Sequence, residues 1–378
     1  MEKHKKSKHK IAALPAAILI LAALLSGCGP TSSEEELNGM QQADKLGQNY
    51  GDDDSVTNQG ENAPVVTLKP GERPYRSKGK WVSVSDSDVV YDLKVTTFNV
   101  GNWYHGVTNL NIYGAQETVH PGITPERVLN AYNQWMKAFP EYDADVLCMQ
   151  EMNPVFMIDS KKNITLTAQE VLGDYFSQIE SFTGSTNNGR LPMWMGMLIP
   201  NESSYKLKNI TTGHLTAGNP EVQRAYMKGY VTVNGHDIAV FCVHLQPQSF
   251  GGAEARVQSF AELAELMSKE EYAIAMGDMN AEFGAEEYEI MKEYGLNMAN
   301  CGAFGEFDTY EYGDVDPIDN IFTTNNIDIA YAECEKGLVG GSDHYPLSAY
   351  LVVKDEKHTN GSPASVGEDG YMEGWYKP

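Results

Sequence analysis

Short apolar blocks separated by Gly, Asn and Asp recur along the chain from residue 91, and most carry a strand pattern rather than a helical one. Leu93 to Val100 is β-branched and roughly alternating, and its polar end is Asn99. Asp145 to Glu151 is an apolar run that stops on a carboxylate, as a buried strand would. Met193 to Ile199 reads as another strand, with its methionines as core. Tyr230 to Val233 and Ile238 to Leu245 flank Asn234-Gly235, the strongest short signal for a hairpin. Tyr272 to Met276 is a short buried-strand run. Ile318 to Thr323, Ile327 to Tyr331 and His344 to Val353 close the series.

Helical periods are fewer. Thr124 and Pro125 suit an N-cap and first turn, and Val128, Leu129, Tyr132, Trp135, Met136 and Phe139 keep a helical spacing after them. Thr167-Ala168-Gln169-Glu170 is a capping box. Ala253 to Lys269 places Val257, Phe260, Leu263 and Met267 on one face. A helix over Ala285 to Tyr294 ends at Gly295. Strands outnumber helices and hairpins mix with helices. The expected class is therefore α+β, with two packed sheets and flanking helices.

The ends of the chain change the picture. Residues 3–10 are rich in Lys and His, Ile11 to Leu25 is apolar, and Leu25-Ser26-Gly27-Cys28 follows. That run has the length of a signal core and is short for a membrane span. The last four residues resemble the lipobox of bacterial lipoproteins, which implies cleavage before Cys28 and lipid attachment there. Residues 1–27 are then a signal peptide. Residues 28–63 become a lipid-anchored, acidic, disordered tether, and the location becomes the outer face of the cell membrane. Residues 64–90 are a lead-in with a strand-like stretch at Trp81 to Val84. The main domain spans 91–353, and 354–378 form a polar tail.

Formal charge is −24, and the first 27 residues carry a net +4, so the remainder carries −28. Such a surface repels nucleic acid and phosphate unless divalent cations intervene. Cys148 and Cys242 lie in apolar strands, where a thiol acts as a small hydrophobe. Cys301 and Cys334 are in polar surroundings, where a disulfide is open in an exported protein. No cysteine spacing suggests structural zinc.

Polar side chains gather at the strand ends: Asn99, Glu151, His244, Asp278, Asn280, Asp319, Asp343 and His344. Singly, each has a plain structural reading. Asp and Asn favour turns after strands, and a histidine in an apolar strand packs in a core. Strand ends of a sandwich converge on a rim, however, and rims of rigid scaffolds carry sites. In Gly277-Asp278-Met279-Asn280 the carboxylate and carboxamide are two residues apart and point the same way.

The order of Thr97-Phe98-Asn99-Val100, Gln150-Glu151-Met152-Asn153, Val243-His244-Leu245, Gly277-Asp278-Met279-Asn280, Ile318-Asp319-Asn320-Ile321-Phe322 and Ser342-Asp343-His344 resembles the endonuclease/exonuclease/phosphatase superfamily. The resemblance covers about residues 91–353 and implies a four-layer α/β sandwich of the DNase I-like type. It also implies a metal-dependent hydrolase of phosphate esters. Glu151, Asn99 and Asp343 would hold Mg²⁺, with Mn²⁺ or Ca²⁺ as alternatives. Asp278 would orient or deprotonate the water. Asn280 and Arg224 would bind the phosphate. His344, its tautomer fixed by Asp319, would contact the phosphate or share in water activation. His244 would protonate the leaving group.

The chain departs from the family pattern at Asn320, where an aromatic is frequent, and in the polar stretch Gly101 to Thr124. That stretch carries Trp103, Tyr104 and His105, which line a cleft or pack as an ordinary loop. Arg224 and Arg256 match family arginines loosely. Substrates open on this reading are nucleic acid, a nucleotide, a sugar phosphate or a phospholipid head group. Phe250 with Gly251 and Gly252 is the one weak feature for a sphingomyelinase-like or phospholipase C-like lipid enzyme. From another class, the domain reads as a non-catalytic surface binding module. The membrane is met through the N-terminal lipid, no protein partner is inferred, and the chain is expected to be a monomer.

Overall fold

The computed structural model describes residues 72–77, 80–85, 91–103, 125–159, 164–187, 191–215, 224–247, 252–281, 285–302, 304, 306–310, 317–338 and 340–358. In chain order the strands are β1 (Glu72–Ser77), β2 (Lys80–Ser85), β3 (Leu93–Asn99), β4 (Val146–Gln150), β5 (Val155–Asp159), β6 (Ile164–Thr167), β7 (Phe176–Asn187) and β8 (Leu191–Pro200). They continue as β9 (Lys208–Leu215), β10 (Arg224–Val233), β11 (His236–His244), β12 (Ala273–Asp278), β13 (Asn297–Met298), β14 (Asp319–Thr323), β15 (Ile327–Cys334) and β16 (Leu347–Val353). The helices are α1 (Pro125–Ala138), α2 (Ala168–Leu172), α3 (Gly252–Ser268) and α4 (Glu286–Glu293).

Two six-stranded sheets form the body. One has the order β13-β14-β12-β11-β10-β9 and the other β15-β16-β3-β4-β8-β7. Each is antiparallel except for one central parallel pair, β11 with β12 and β3 with β4. A parallel pair needs a crossover, and the helices supply it: α1 between β3 and β4, α3 between β11 and β12.

Alternation along the strands sends side chains to opposite faces. Val95, Cys148, Met197, Met227, Val240, Cys242, Ile274 and Ile321 meet in one buried cluster between the sheets. The odd-numbered partners on β11, Phe241 and Val243, pack with Phe260, Leu263 and Met267 of α3 and with Met291 of α4. Phe98, Leu147 and Met149 pack against Val128 and Trp135 of α1. The layers are therefore helix, sheet, sheet, helix, which is the expected four-layer sandwich. Both faces of β3 and β4 are covered, so every residue of each is buried.

Several expectations meet the structure directly. Thr167 and Glu170 form a complete capping box. Asn234 and Gly235 have φ of 51° and 90° between β10 and β11, the double left-handed turn that an Asn-Gly hairpin uses. Gly295, with φ of 69°, ends α4. Other details differ. Leu129 is largely exposed, outside the buried stripe of α1. The last strand starts at Leu347 rather than His344, because Pro346 offers no N–H and His344 bridges Tyr310 instead. Cys301 and Cys334 are free thiols, with Sγ donating to Asn300 Oδ1 and to the Asp308 carbonyl. Among the described residues no helix is long and apolar enough to cross a membrane. The segment around Cys28, together with Tyr104, His105 and Phe250, lies outside the described residues.

Candidate functional site

Topology gathers the polar strand ends. β3, β4, β11 and β12 finish at one rim, with Asn99 opposite Gln150 and His244 opposite Asp278. Their antiparallel neighbours start there: Asp319 opens β14 opposite Asp278, and Arg224 opens β10. His344 stands just before β16. Asn99, on one sheet, donates through Nδ2 to Asp278 Oδ2, on the other, at 3.0 Å.

Close backbone approach is built into that rim. A Cβ on Gly277 would stand 1.9 Å from the Val243 carbonyl oxygen. Only glycine lets β12 run this near β11, and this sets Asp278 beside His244. Asp278 Oδ1 accepts the Asn280 N–H at 2.8 Å, an Asx turn at the strand end. Asp278 Oδ2 faces His244 Nε2 at 3.4 Å and His344 Nε2 at 3.9 Å.

His344 Nδ1 and Asp319 Oδ2 are 2.8 Å apart, and both residues are buried. Burial alone would depress the imidazole. The charges of Asp319, Asp278 and Asp343 outweigh it and push His344 up to about 10, so the ring carries its proton at neutral pH. Asp278 moves the other way from an ordinary carboxyl. Burial first, and then the Asp319 charge, push it up to about 7. His244 is held well below the usual histidine range, mainly by burial and then by Arg224 and His344, so its ring is neutral. Its Nδ1 is buried and has no hydrogen-bond partner.

Glu151 is half-buried and takes a left-handed backbone with φ of 51°. Asn102 Nδ2 donates to its Oε2 at 2.8 Å, and Asn99 Nδ2 lies 3.5 Å from its Oε1. Desolvation and then the nearby Asp343 charge raise the Glu151 carboxyl. Asp343 sits against Gly101, where a Cβ would come within 2.9 Å of its Oδ1. Arg224 is almost fully buried. Its Nε donates to Gln246 Oε1 at 2.9 Å, while its Nη1 is buried without a partner. Burial lowers its pKa, and Asp278 and Glu151 oppose that shift.

Glu151, Asp278, Asp319 and Asp343 thus face two cations, Arg224 and protonated His344. The carboxyls outnumber the cations, and their hard oxygen donors fit a divalent cation of the Mg²⁺ kind. Glu151 and Asp343 are the pair whose mutual repulsion such an ion would relieve. A second grouping exists, since ligand atoms of Asp278, Asp319 and His344 lie within 4.8 Å of one another. There the histidine nitrogen and the Asp319 oxygen already satisfy each other.

Asn99 turns its nitrogen toward Glu151 and Asp278, while its Oδ1 accepts from the Gly101 N–H at 3.0 Å. Its nitrogen thus bridges the two carboxylates, and its oxygen keeps one lone pair. Asn280 Nδ2 donates to the Leu245 carbonyl at 3.1 Å, which leaves one N–H on that nitrogen. Arg256 binds Glu287 through Nε and the Asn280 carbonyl through Nη1 at 2.6 Å, so it supports the turn. Trp103 is core: it is fully buried, stacks on Phe156 at 4.2 Å and donates to the Asn153 carbonyl.

Sequence reasoning gave no role to Asn102, Ser342 or Gln246. Ser342 Oγ donates to the Asn99 carbonyl at 2.6 Å and accepts the His344 N–H at 3.1 Å. The Gly101-Asn102 pair directly after a strand was a readable cue, since both residues favour left-handed backbone.

No family model and no curated protein matches the sequence. Solved structures do resemble the fold. An endonuclease/exonuclease/phosphatase from Bacteroides vulgatus has 17% identity and a TM-score of 0.48, over 69% of this chain and 99% of that one. The chain resembles endonuclease/exonuclease/phosphatase structures. The human Nocturnin catalytic domain with bound sulfate has 15% identity and a TM-score of 0.49, over 69% of this chain and 94% of that one. A mannosyl-6-phosphatase from Bacteroides thetaiotaomicron VPI-5482 has 16% identity and a TM-score of 0.44, over 69% and 99%.

Proposed function

We propose that the chain is a divalent-cation-dependent phosphoesterase of the endonuclease/exonuclease/phosphatase superfamily. The observation that carries the reading is the rim itself: an excess of carboxylates beside a protonated histidine and a buried arginine with a spare donor. Glu151 and Asp343 would hold the cation. When bound, it supplies Lewis-acid polarisation of a phosphoryl oxygen and offsets charge that develops there.

The remaining roles fall to the chain. Asp278, with its pKa near neutrality, takes a proton from the attacking water at Oδ2 as the water oxygen bonds to phosphorus and the ester P–O bond breaks, and the leaving oxygen takes its proton from solvent. His344 donates from Nε2 to a phosphoryl oxygen, and Asp319 keeps its other nitrogen protonated and aimed. Arg224 Nη1 and the spare Asn280 N–H offer two further donors to the same group. His244 is neutral and turned to Asp278, which suits holding that carboxylate better than protonating a leaving group.

The reading extends to location. The lipobox-like Leu25 to Cys28 and the acidic stretch after it support a lipid-anchored enzyme on the outer face of the membrane. The substrate is a phosphate ester met outside the cell.

The test is hydrolysis of bis-p-nitrophenyl phosphate, p-nitrophenyl phosphate, DNA, RNA and sphingomyelin by purified chain, with Mg²⁺ or with EDTA, beside His344→Ala. Metal-dependent turnover that is lost in the variant is expected. Folded protein that binds Mg²⁺ and turns over none of these would favour a surface binding module.

A further inference from the structure

The Asp319–His344 pair joins two sheets, since Asp319 opens β14 and His344 precedes β16. No β-ladder connects those strands directly. The connection runs through Asn300 and residues 306–310. Fully buried Asn300 exchanges two 3.0 Å bonds with Asn320: its N–H donates to Asn320 Oδ1 and its carbonyl accepts from Asn320 Nδ2. Asn300 Nδ2 also donates to the Asp319 and Phe307 carbonyls, each at 3.0 Å, and its Oδ1 accepts the Phe307 N–H at 2.8 Å.

The clasped segment delivers Thr309, which is fully buried. Thr309 Oγ1 accepts the Asp319 N–H at 3.1 Å. Its carbonyl accepts the N–H of Tyr345, the residue after His344, at 2.9 Å. Tyr310 then forms a β-bridge to His344 and lays its ring 4.9 Å from the imidazole. Both peptide groups of Asp319 are therefore gripped from this segment, and one residue touches the backbone on both sides of the pair.

We propose that Thr309 is a positioning residue for the Asp319–His344 pair. Its hydroxyl fixes the carboxylate side and its carbonyl fixes the histidine side. The separation between the two is thereby set by a residue that meets neither substrate nor metal. The inference rests on the reading of this pair as part of a phosphoesterase site. A hydroxyl is required for it, and a β-methyl group is not. An apolar residue of the same shape would leave the Asp319 N–H buried without an acceptor, and the strand end would shift to regain one.

The test compares Thr309→Val with Thr309→Ser in the full chain. Val is expected to lower kcat about 10-fold with KM nearly unchanged, as a small misplacement at a reacting centre does. Ser is expected to recover most of that loss. In an Asp319→Asn background, where the charged pair that Thr309 positions is already lost, the Val substitution should add little.

A second readout is independent of turnover. The proton between His344 Nδ1 and Asp319 should give a low-field NMR signal in the unsubstituted chain and in the Ser variant. It should be lost or broadened in the Val variant. If the Val variant does not fold, Thr309→Ala serves in the same comparison. An intact signal and unchanged kcat in Val or Ala would overturn the proposal, as would a loss that Ser fails to recover. Absence of turnover by the unsubstituted chain would overturn the hydrolase reading instead, and the NMR comparison would still decide the role of Thr309.

Discussion

Glu151 combines three costs at one position. It has φ of 51° where a non-glycine residue is strained, it is desolvated, and Asp343 repels it. Strain of this kind at a carboxylate is the pattern of a group held for binding rather than for folding. Glu151→Gln should therefore raise the unfolding midpoint of the metal-free chain while lowering Mg²⁺-dependent turnover at least about 100-fold, the scale of a lost electrostatic stabiliser. Calorimetry with EDTA and a steady-state assay check both, and a lower midpoint in the variant would remove the argument.

Asp278 gives a pH test with a definite sign. Its folded pKa, near 7, lies above the ordinary value, so the folded state holds the proton more tightly. Stability from this group is present at about pH 4 and is lost as pH rises toward 7. Asp278→Asn should thus gain on the unsubstituted metal-free chain across that window in urea midpoints. A gap that stays flat would refute it. His344 acts with the same sign at higher pH. Its folded pKa of about 10 gives stability that is full below the unfolded value and is lost as pH climbs through 10.

At the scale of elements, the parallel pairs decide where the chemistry sits. The strand patterns of β3, β4, β11 and β12 were readable because both faces of each are buried, which leaves continuous apolar runs with polar stops. The polar stops named most of the side chains that the fold gathers at the rim. Pairing between sheets was not readable. Nothing in the period of Asn99 or Asp278 says that their side chains meet at 3.0 Å across the sandwich. The partners of Arg224 were hidden for the same reason, since Gln246 acts only after β10 and β11 fold back on each other.

Trp103 shows the opposite limit. It lies in a polar stretch without periodicity, so its burial under α1 depended on tertiary contacts alone. It stacks on Phe156, meets Trp135 edge-on at 5.2 Å, and directly follows Asn102, the donor to Glu151. Trp103→Ala should cost about 3–5 kcal/mol of stability. Denaturant titration would show this, and Trp103→Phe should retain much of the difference. A loss under about 1 kcal/mol would mean that the aromatic cluster repacks freely.

For the molecule as a whole, charge and site pull in opposite directions. A net −24 repels an anionic substrate, while the rim sets two cations, Arg224 and His344, among its carboxyls. Screening should weaken the repulsion more than it weakens the short-range contacts. With Mg²⁺ fixed, kcat/KM on a polyanionic phosphate ester should rise as monovalent salt goes from about 10 to about 150 mM, where the Debye length falls from about 30 to about 8 Å. A basic nuclease would lose activity over that range. A fall for this chain would indicate a local positive field strong enough to dominate.

The missing side chain at Gly277 has a consequence for how the protein tolerates change. Even a methyl group there would meet a carbonyl oxygen at 1.9 Å, and nothing flexible is available to yield. The two central strands would have to part, which would widen the gap between His244 and Asp278. In a library carrying all twenty residues at this position, selection for turnover should return glycine alone, although every other variant keeps all the acids and histidines of the rim.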